Sequence, residues 1–227
     1  MIIGEISVSC LDTMGSDLTV VDAARVSFDK QSKLDEVGSV VEQDKKLIKY
    51  LAEHNHWTPF GHCFASFRIK APIFVARQLV KHQVGLVWNE VSRRYVDSEP
   101  AFFFPRGWRA KADNVKQGSS NHYLDPHQDK GNLNTMAFFC AHGSLDIYEA
   151  MLASGVCPEQ ARMVLPLNTM TEWVWSGSLA AWARVVKLRT SPHTQAETRE
   201  VAEKIDGYMA TNFPVSWEAL LGVNDEN

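Results

Sequence analysis

The sequence has no run of apolar residues approaching the roughly 18 that a membrane-crossing helix needs. Its start, Met1-Ile2-Ile3-Gly4-Glu5, lacks the basic region and long apolar stretch of a signal peptide. A cytoplasmic protein without a membrane partner is therefore expected. Cysteine is scarce: Cys10, Cys63, Cys140 and Cys157 have no C-x-x-C spacing and sit in apolar contexts. In a reducing compartment this favours buried thiols over disulfides or zinc ligands, and none is assigned a nucleophilic role. Repeats and low-complexity tracts are absent, as are glycine-rich phosphate loops of the Rossmann or P-loop kind and a serine nucleophile elbow. Positive charge is not in excess either. A formal net charge of -4 argues against nucleic-acid binding by the surface as a whole.

What is present is an ordinary globular composition of 227 residues, 45% hydrophobic with seven Trp, enough for one substantial core. A single domain over residues 1–227 is expected. Its cations are concentrated between residues 77 and 95, where Arg77, Lys81, Arg93 and Arg94 are interleaved with Gln78, His82, Gln83, Asn89, Glu90, Ser92 and Tyr95. Arg favours bidentate recognition of phosphate or carboxylate, and Lys adds a point charge. The span therefore predicts a small anionic ligand, with a charged helix end as the plainer reading.

Periodicity suggests a strand over 2–10, a short helix or turn over 22–28, a helix from about Asp35 to Glu53, and a strand over 63–69. Pro72 can open a helix on which Arg77, Gln78, Lys81 and His82 share one face. A strand at 102–104 precedes a turn-rich stretch at about 106–131, long enough to be a functional loop or insertion. Helices are predicted from about Asn134 to Ala153 and at Pro158, then a strand ending before Ser178, the N-cap of a helix to about Lys187. Thr194 and Glu197 form a capping-box pattern for a last long helix to about Thr211. Irregular alternation of elements predicts an α+β fold, an antiparallel sheet with segregated helices.

Other candidates are less specific. His54, His56 and His62 invite a zinc reading, but their spacing crosses a helix end, a turn and a strand, which suits structural or cofactor contacts better. Arg162 enters an apolar run and Arg189 lies at a helix end. Each either pairs with an acid or faces a bound anion, and composition leaves these even.

The order of residues then adds what composition does not. Asn89-Glu90-Val91-Ser92-Arg93-Arg94-Tyr95 matches the Asn-Glu-x-Ser-x-Arg-Tyr pattern of the flavin-dependent thymidylate synthases, and Lys81-His82-Gln83 stands where that family has Arg-His-Arg. The chain resembles the family also at 23–28, 56–62, 70–78, 161–167 and 188–195. The resemblance implies synthesis of dTMP from dUMP without a cysteine nucleophile, with the methylene from 5,10-methylenetetrahydrofolate and the hydride from NADPH through FAD. It implies that Gln78, Lys81, Glu90, Ser92, Arg93, Arg94, Arg162 and Arg189 hold dUMP, with Arg189 the catalytic cation that favours ionisation at N3 of the uracil. For FAD it implies Thr58, Lys81, His82, Gln83, Glu90, Ser178, Arg184 and His193, with Ser27 and His56 weaker. It further implies a homotetramer with sites between subunits, and no metal.

Three departures stand out. Lys81 and Gln83 replace two arginines, eight residues rather than seven separate Gln83 from Ser92, and Ser178 and Arg184 align where many members carry Asn. Arg184 is the candidate to replace the missing charge. The rival readings are a phosphate-gripping nucleotide-binding module without redox chemistry, and a zinc hydrolase built on His54, His56 and His62.

Overall fold

Alternation of buried and exposed residues in Phe64–Pro72 places Ala65, Phe67, Ile69 and Ala71 on one face of a strand, and that strand lies at the centre of the fold. The computed structural model describes residues 1–112, 119–124 and 132–222. In chain order the elements are β1 (Ile2–Ile3), β2 (Ser7–Met14), α1 (Asp17–Arg25), α2 (Glu42–Glu53), β3 (Phe64–Pro72), α3 (Ile73–Leu79), β4 (Leu86–Glu90), β5 (Ala101–Phe102), β6 (Arg109–Lys111) and β7 (Ser119–Tyr123). They continue with α4 (Leu133–Ala153), α5 (Pro158–Ala161), β8 (Met170–Ser178), α6 (Leu179–Arg189), α7 (Ala196–Asn212) and α8 (Pro214–Gly222).

The main sheet has the order β2-β3-β8-β4, every pairing antiparallel, with β4 at one edge. Helices gather on its apolar face, so the α+β architecture is the one expected. Register sets Phe67 opposite Trp175 and Ile69 opposite Trp173, while Trp88 of β4 faces Trp175 from the other side. The indoles pack densely. Trp88 stacks on Trp173 at 4.3 Å between ring centroids, and Trp182 meets Trp175 edge-on at 4.8 Å. Each large side chain so buried contributes on the order of 1.5–3 kcal/mol. A smaller apolar cluster, Phe102, Ala141, Leu145, Tyr148 and Ala161, lies under α4.

Some boundaries differ from expectation. The helix expected from Asp35 starts at Glu42, because the Asp35 carboxylate accepts from Val37 N and Ser39 N and Gly38 takes φ +79°, closing a local turn instead. α3 ends at Leu79, so Lys81 and His82 stand in the following turn and not on the helix face with Arg77 and Gln78. The capping box does not form: Gln195 is the N-cap of α7, Thr194 Oγ1 donates to Leu188 O, and Glu197 pairs elsewhere. α8 was not foreseen. Its first amides, Val215 N and Ser216 N, donate to buried Asp17 across almost the whole chain length. Within 106–131, β6 and β7 pair antiparallel, while the turn signals at 116–118 and 125–126 lie outside the described residues. Cys63 is buried and Cys10 half-buried, but Cys140 and Cys157 are exposed, Cys140 at the edge of a cavity beside α4 and Cys157 at the N-cap before α5.

Candidate functional site

Between α3 and β4 the chain turns through Val84 and Gly85, with Gly85 at φ +76°. A side chain there would be strained, and its Cβ would come within 3.1 Å of the Ala181 Cβ. The turn therefore lies directly against the start of α6. Ser178 caps that helix through Ala181 N, and its own N–H donates to Gly85 O. Arg184, one turn further on, donates to Val84 O at 2.8 Å. At the other end of α6, Arg189 Nε donates to His82 Nε2 at 2.9 Å. To accept there His82 must be neutral, its proton on Nδ1. Burial, then the charges of Arg189 and Arg184, lowers its pKa from the ordinary value. Exposed Lys81 and Gln83 complete this group. Arg184 stands with the α6 N-terminus at the Gly85 turn and Arg189 stands with His82 at the far end of the helix, so cations suited to an anion such as a phosphate flank this turn.

The second group stands at the far end of β4. Glu90 accepts from Thr171 Oγ1 at 2.7 Å and from Trp88 Nε1 at 3.2 Å, which fixes both carboxylate oxygens. Beyond it a tight turn brings Tyr95 N to Ser92 O, with the Ser92 hydroxyl accepting from Arg94 Nε. Arg93 reaches Ser98 O, and Arg94 lies over the Tyr95 ring. Glu90, Arg93 and Arg162 line one cleft of about 410 Å³, together with Lys70 and Glu172. Arg162 is exposed, and among the described residues its side chain bonds the Glu159 carbonyl and no acid, which leaves its terminal guanidinium nitrogens facing the cleft it lines. The two groups are separated by the five residues of β4, on the order of 15 Å of strand.

Other predicted residues lie apart from both groups. Exposed Thr58 opens a 3-10 turn next to Trp57, which shares a cavity of about 260 Å³ with Arg184. His193 is exposed, as are Ser27 and His56. His54 is committed to the Tyr50 carbonyl and ring, and among the described residues no three His, Cys, Asp or Glu side chains gather as metal ligands. The zinc reading thus finds no assembled centre. Burial pushes the Cys63 thiol up to about 11, which makes it a poor nucleophile.

Gln78 lies elsewhere again, bonded to Gln195 and Thr198 of the α7 start. Gln195 closes the 188–195 stretch that resembles the family but was given no role there, Thr198 was missed from sequence, and so was Arg109, which pairs with Glu197 at 2.8 Å. Burial alone would raise the Glu197 pKa, but the hydrogen bond and charge of Arg109 hold it below the ordinary carboxylate value. Arg109, Gln195 and Glu197, with Ser119 and Asn168, form the polar part of the wall of a cavity of about 520 Å³ whose remainder includes Phe74, Phe103, Phe104 and Trp108. Only the alternation of charge with distant partners could have signalled them, and a single sequence does not show such pairs.

Comparison with known proteins gives a consistent picture. Residues 9–215 match the model of the family described as thymidylate synthase complementing protein. The chain is 38% identical over 213 residues to the flavin-dependent thymidylate synthase of Thermus thermophilus, covering 94% of this chain and 74% of that protein. It is 36% identical to the enzyme of the same name from Thermosipho africanus, covering 93% and 89%. Among solved structures it is similar to a UMP/dUMP methylase, PolB, from Streptomyces cacaoi bound with 5-Br dUMP, with a TM-score of 0.82, 30% identity, and 98% and 97% of the two chains covered. A second structure of that methylase holds 5-Br UMP.

Proposed function

This chain belongs to the flavin-dependent thymidylate synthase family, a family of methyltransferases, and we infer from that membership that it makes dTMP from dUMP, taking the methylene from 5,10-methylenetetrahydrofolate and the hydride from NADPH through FAD. The observation that carries the reading is that the motif residues gather at the two ends of one edge strand, each end rich in cations. Glu90, Ser92, Arg93 and Arg94 would hold the phosphate and sugar of dUMP, with Gln78 and Lys81 completing the set. Arg162 would contact the uracil, and so would Arg189. Its Nε is committed to His82, which leaves the terminal guanidinium nitrogens for the ring. A cation beside the charge that develops at N3 and its neighbouring carbonyl oxygen stabilises the anionic ring and so activates it for carbon–carbon bond formation.

For the flavin, the chemistry of the Gly85 turn fits: an α6 N-terminus capped by Ser178, with Arg184 and Lys81 at hand for phosphate oxygens and His82, Gln83, Thr58, Glu90 and His193 for the remainder. Once bound, the flavin supplies the hydride transfer that no side chain can perform. Arg184 would take the place of the arginine that Gln83 replaces. The raised Cys63 thiol agrees with a reaction that uses no cysteine nucleophile. Two motif groups so far apart on one chain agree with sites completed between the subunits of a homotetramer.

Anaerobic turnover tests the reading. Formation of dTMP is expected with dUMP, methylenetetrahydrofolate, NADPH and FAD together, and loss of product on omitting any one. A protein that takes up no FAD and oxidises no NADPH would sink it. A second reading is favoured by one observation: the Streptomyces cacaoi relative is a methylase of UMP as well as dUMP. Running UMP beside dUMP in the same assay decides between a deoxyribonucleotide enzyme and one that accepts both.

A further inference from the structure

The cleft at the far end of β4 is walled by the acids Glu90, Glu99 and Glu172 and by the cations Lys70, Arg93 and Arg162. Each acid is engaged by a group other than these cations. Glu90 accepts from Thr171 Oγ1 and Trp88 Nε1, Glu172 pairs with Arg68 at 2.8 Å, and Glu99 bonds the Met1 amino group at 3.0 Å. Among the described residues the cations meet no acid. Arg93 donates to Ser98 O and Arg162 to Glu159 O, both neutral carbonyls. The Lys70 ammonium has neither a hydrogen bond nor an ion pair there.

Lys70 lies near the end of β3, on the face opposite the one that Ile69 and Ala71 bury, and is itself half-buried. Register puts Glu172 directly across from it, and facing residues of an antiparallel pair have Cβ atoms about 4.5–5.5 Å apart. An acid is therefore within reach, yet Glu172 bonds Arg68, two residues back on the same face. A cation half withdrawn from water has lost hydration with no counter-charge in return, and the charges of Arg93 and Arg162 on the same wall add to the cost. An anion in the cleft offsets all three. At about 410 Å³ the cleft has the size of a small-ligand site. A nucleoside monophosphate concentrates its charge in one group, the phosphate, and a lysine serves that group as a point charge where a guanidinium needs a matching plane.

We propose that Lys70 binds the phosphate of the nucleotide beside Arg93, a contact made by a residue outside the Asn89–Tyr95 motif. The proposal rests on the reading that this cleft takes dUMP. It adds to that site a strand of the sheet centre, since Lys70 comes from β3 and not from the edge strand that carries the motif.

Calorimetric titration of the flavin-loaded protein with dUMP tests it, with deoxyuridine, which lacks the phosphate, titrated in parallel by displacement. Lys70→Met keeps the stem and removes the charge, and dUMP is expected to bind roughly ten- to hundredfold more weakly, the worth of one charged hydrogen bond. Deoxyuridine should bind within about twofold of wild type, and Lys70→Arg should recover most of the dUMP affinity, because the charge is kept. Equal weakening of both ligands in Lys70→Met would place the side chain away from the phosphate and overturn the proposal. Unchanged dUMP affinity would overturn it as well, and a lowered melting temperature in that case would assign Lys70 to Glu172. Acetylation of the wild type, read by mass spectrometry, needs no variant to fold: dUMP should shield Lys70 while exposed Lys49 is labelled as before, and labelling of Lys70 indifferent to dUMP would overturn the proposal. A wild-type protein that binds no dUMP would defeat the reading of the cleft itself, whereas tight dUMP binding untouched by Lys70→Met defeats this proposal alone.

Discussion

Arg189 reaches His82 through Nε, and a proton on His82 Nε2 would both break that bond and set a third cation beside Arg189 and Arg184. Trp175, the ring nearest to His82 on β8, offers no charge to offset it. The folded protein therefore resists protonation at His82, while the unfolded chain takes up its proton near 6.5. Below that value the unfolded state binds more protons, so stability falls as the pH drops through the window between the ordinary and lowered values, and is level above it. Urea midpoints measured across this window are expected to decline toward acid in the wild type and to decline less in His82→Gln, whose amide oxygen can still accept from Arg189. Parallel profiles for the two proteins would remove His82 from the account. Arg184 carries a second prediction. Arg184→Ala loses the bond to Val84 O and the guanidinium that lies against the Gly85 turn, so flavin absorbance per protein after purification is expected to fall. Full flavin occupancy in that variant would show that Arg184 is no substitute for the missing arginine.

Among the elements, the contact between β8 and the turn that leads into β4 is the tightest near the site. A Cβ at Gly177 would stand 2.3 Å from Leu86 Cδ2 and 2.7 Å from Gly85 O, part of which is backbone and cannot yield. Gly177→Ala is expected to destabilise the protein by about 1–3 kcal/mol through overpacking and to weaken flavin retention with it. Gly207→Ala, on α7 with nothing within 4 Å of the added carbon, should instead stabilise by about 0.4–1 kcal/mol. Thermal denaturation of both variants checks the contrast. Much of this layer was legible in sequence where local chemistry governs it: the alternation of β3, the Ser178 cap of α6 and the close of α4 before Gly155 all follow from residues near in the chain. What was not legible depends on distant partners. The Asp17 cap of α8 and the diversion of Glu197 from a capping box to Arg109 are each set by residues tens of positions away. The Asp35 turn is the exception, a local signal that helical periodicity concealed.

For the whole molecule, α4 poses the main question. Of its 21 residues Ala141, Leu145 and Tyr148 are buried, while Met136, Phe139 and Ile147 are more than half exposed. With exposed Met163 and Leu167 nearby in sequence, this is more apolar surface than a lone chain usually leaves to water. Light scattering is expected to report a tetramer, and Phe139→Asp to shift it toward smaller species with the circular dichroism of the fold retained and dTMP formation lost. A monomeric wild type with full activity would refute sites shared between subunits. The 77–95 span was legible in the sequence as one dense segment, but its division into two groups at opposite ends of β4 was not, because that depends on how the Gly85 turn packs against α6.

The packed indoles of the sheet have an optical consequence. Trp173, Trp88, Trp175 and Trp182 follow one another as a series of ring contacts at 4.3, 5.3 and 4.8 Å between centroids, and the His82 ring lies 6.4 Å from that of Trp175. Excitation absorbed by any one of them is shared among all, and a flavin seated beside His82 would drain the whole set. Tryptophan emission should therefore dim as the cofactor enters and brighten as it leaves, so that the protein carries a label-free gauge of its own loading.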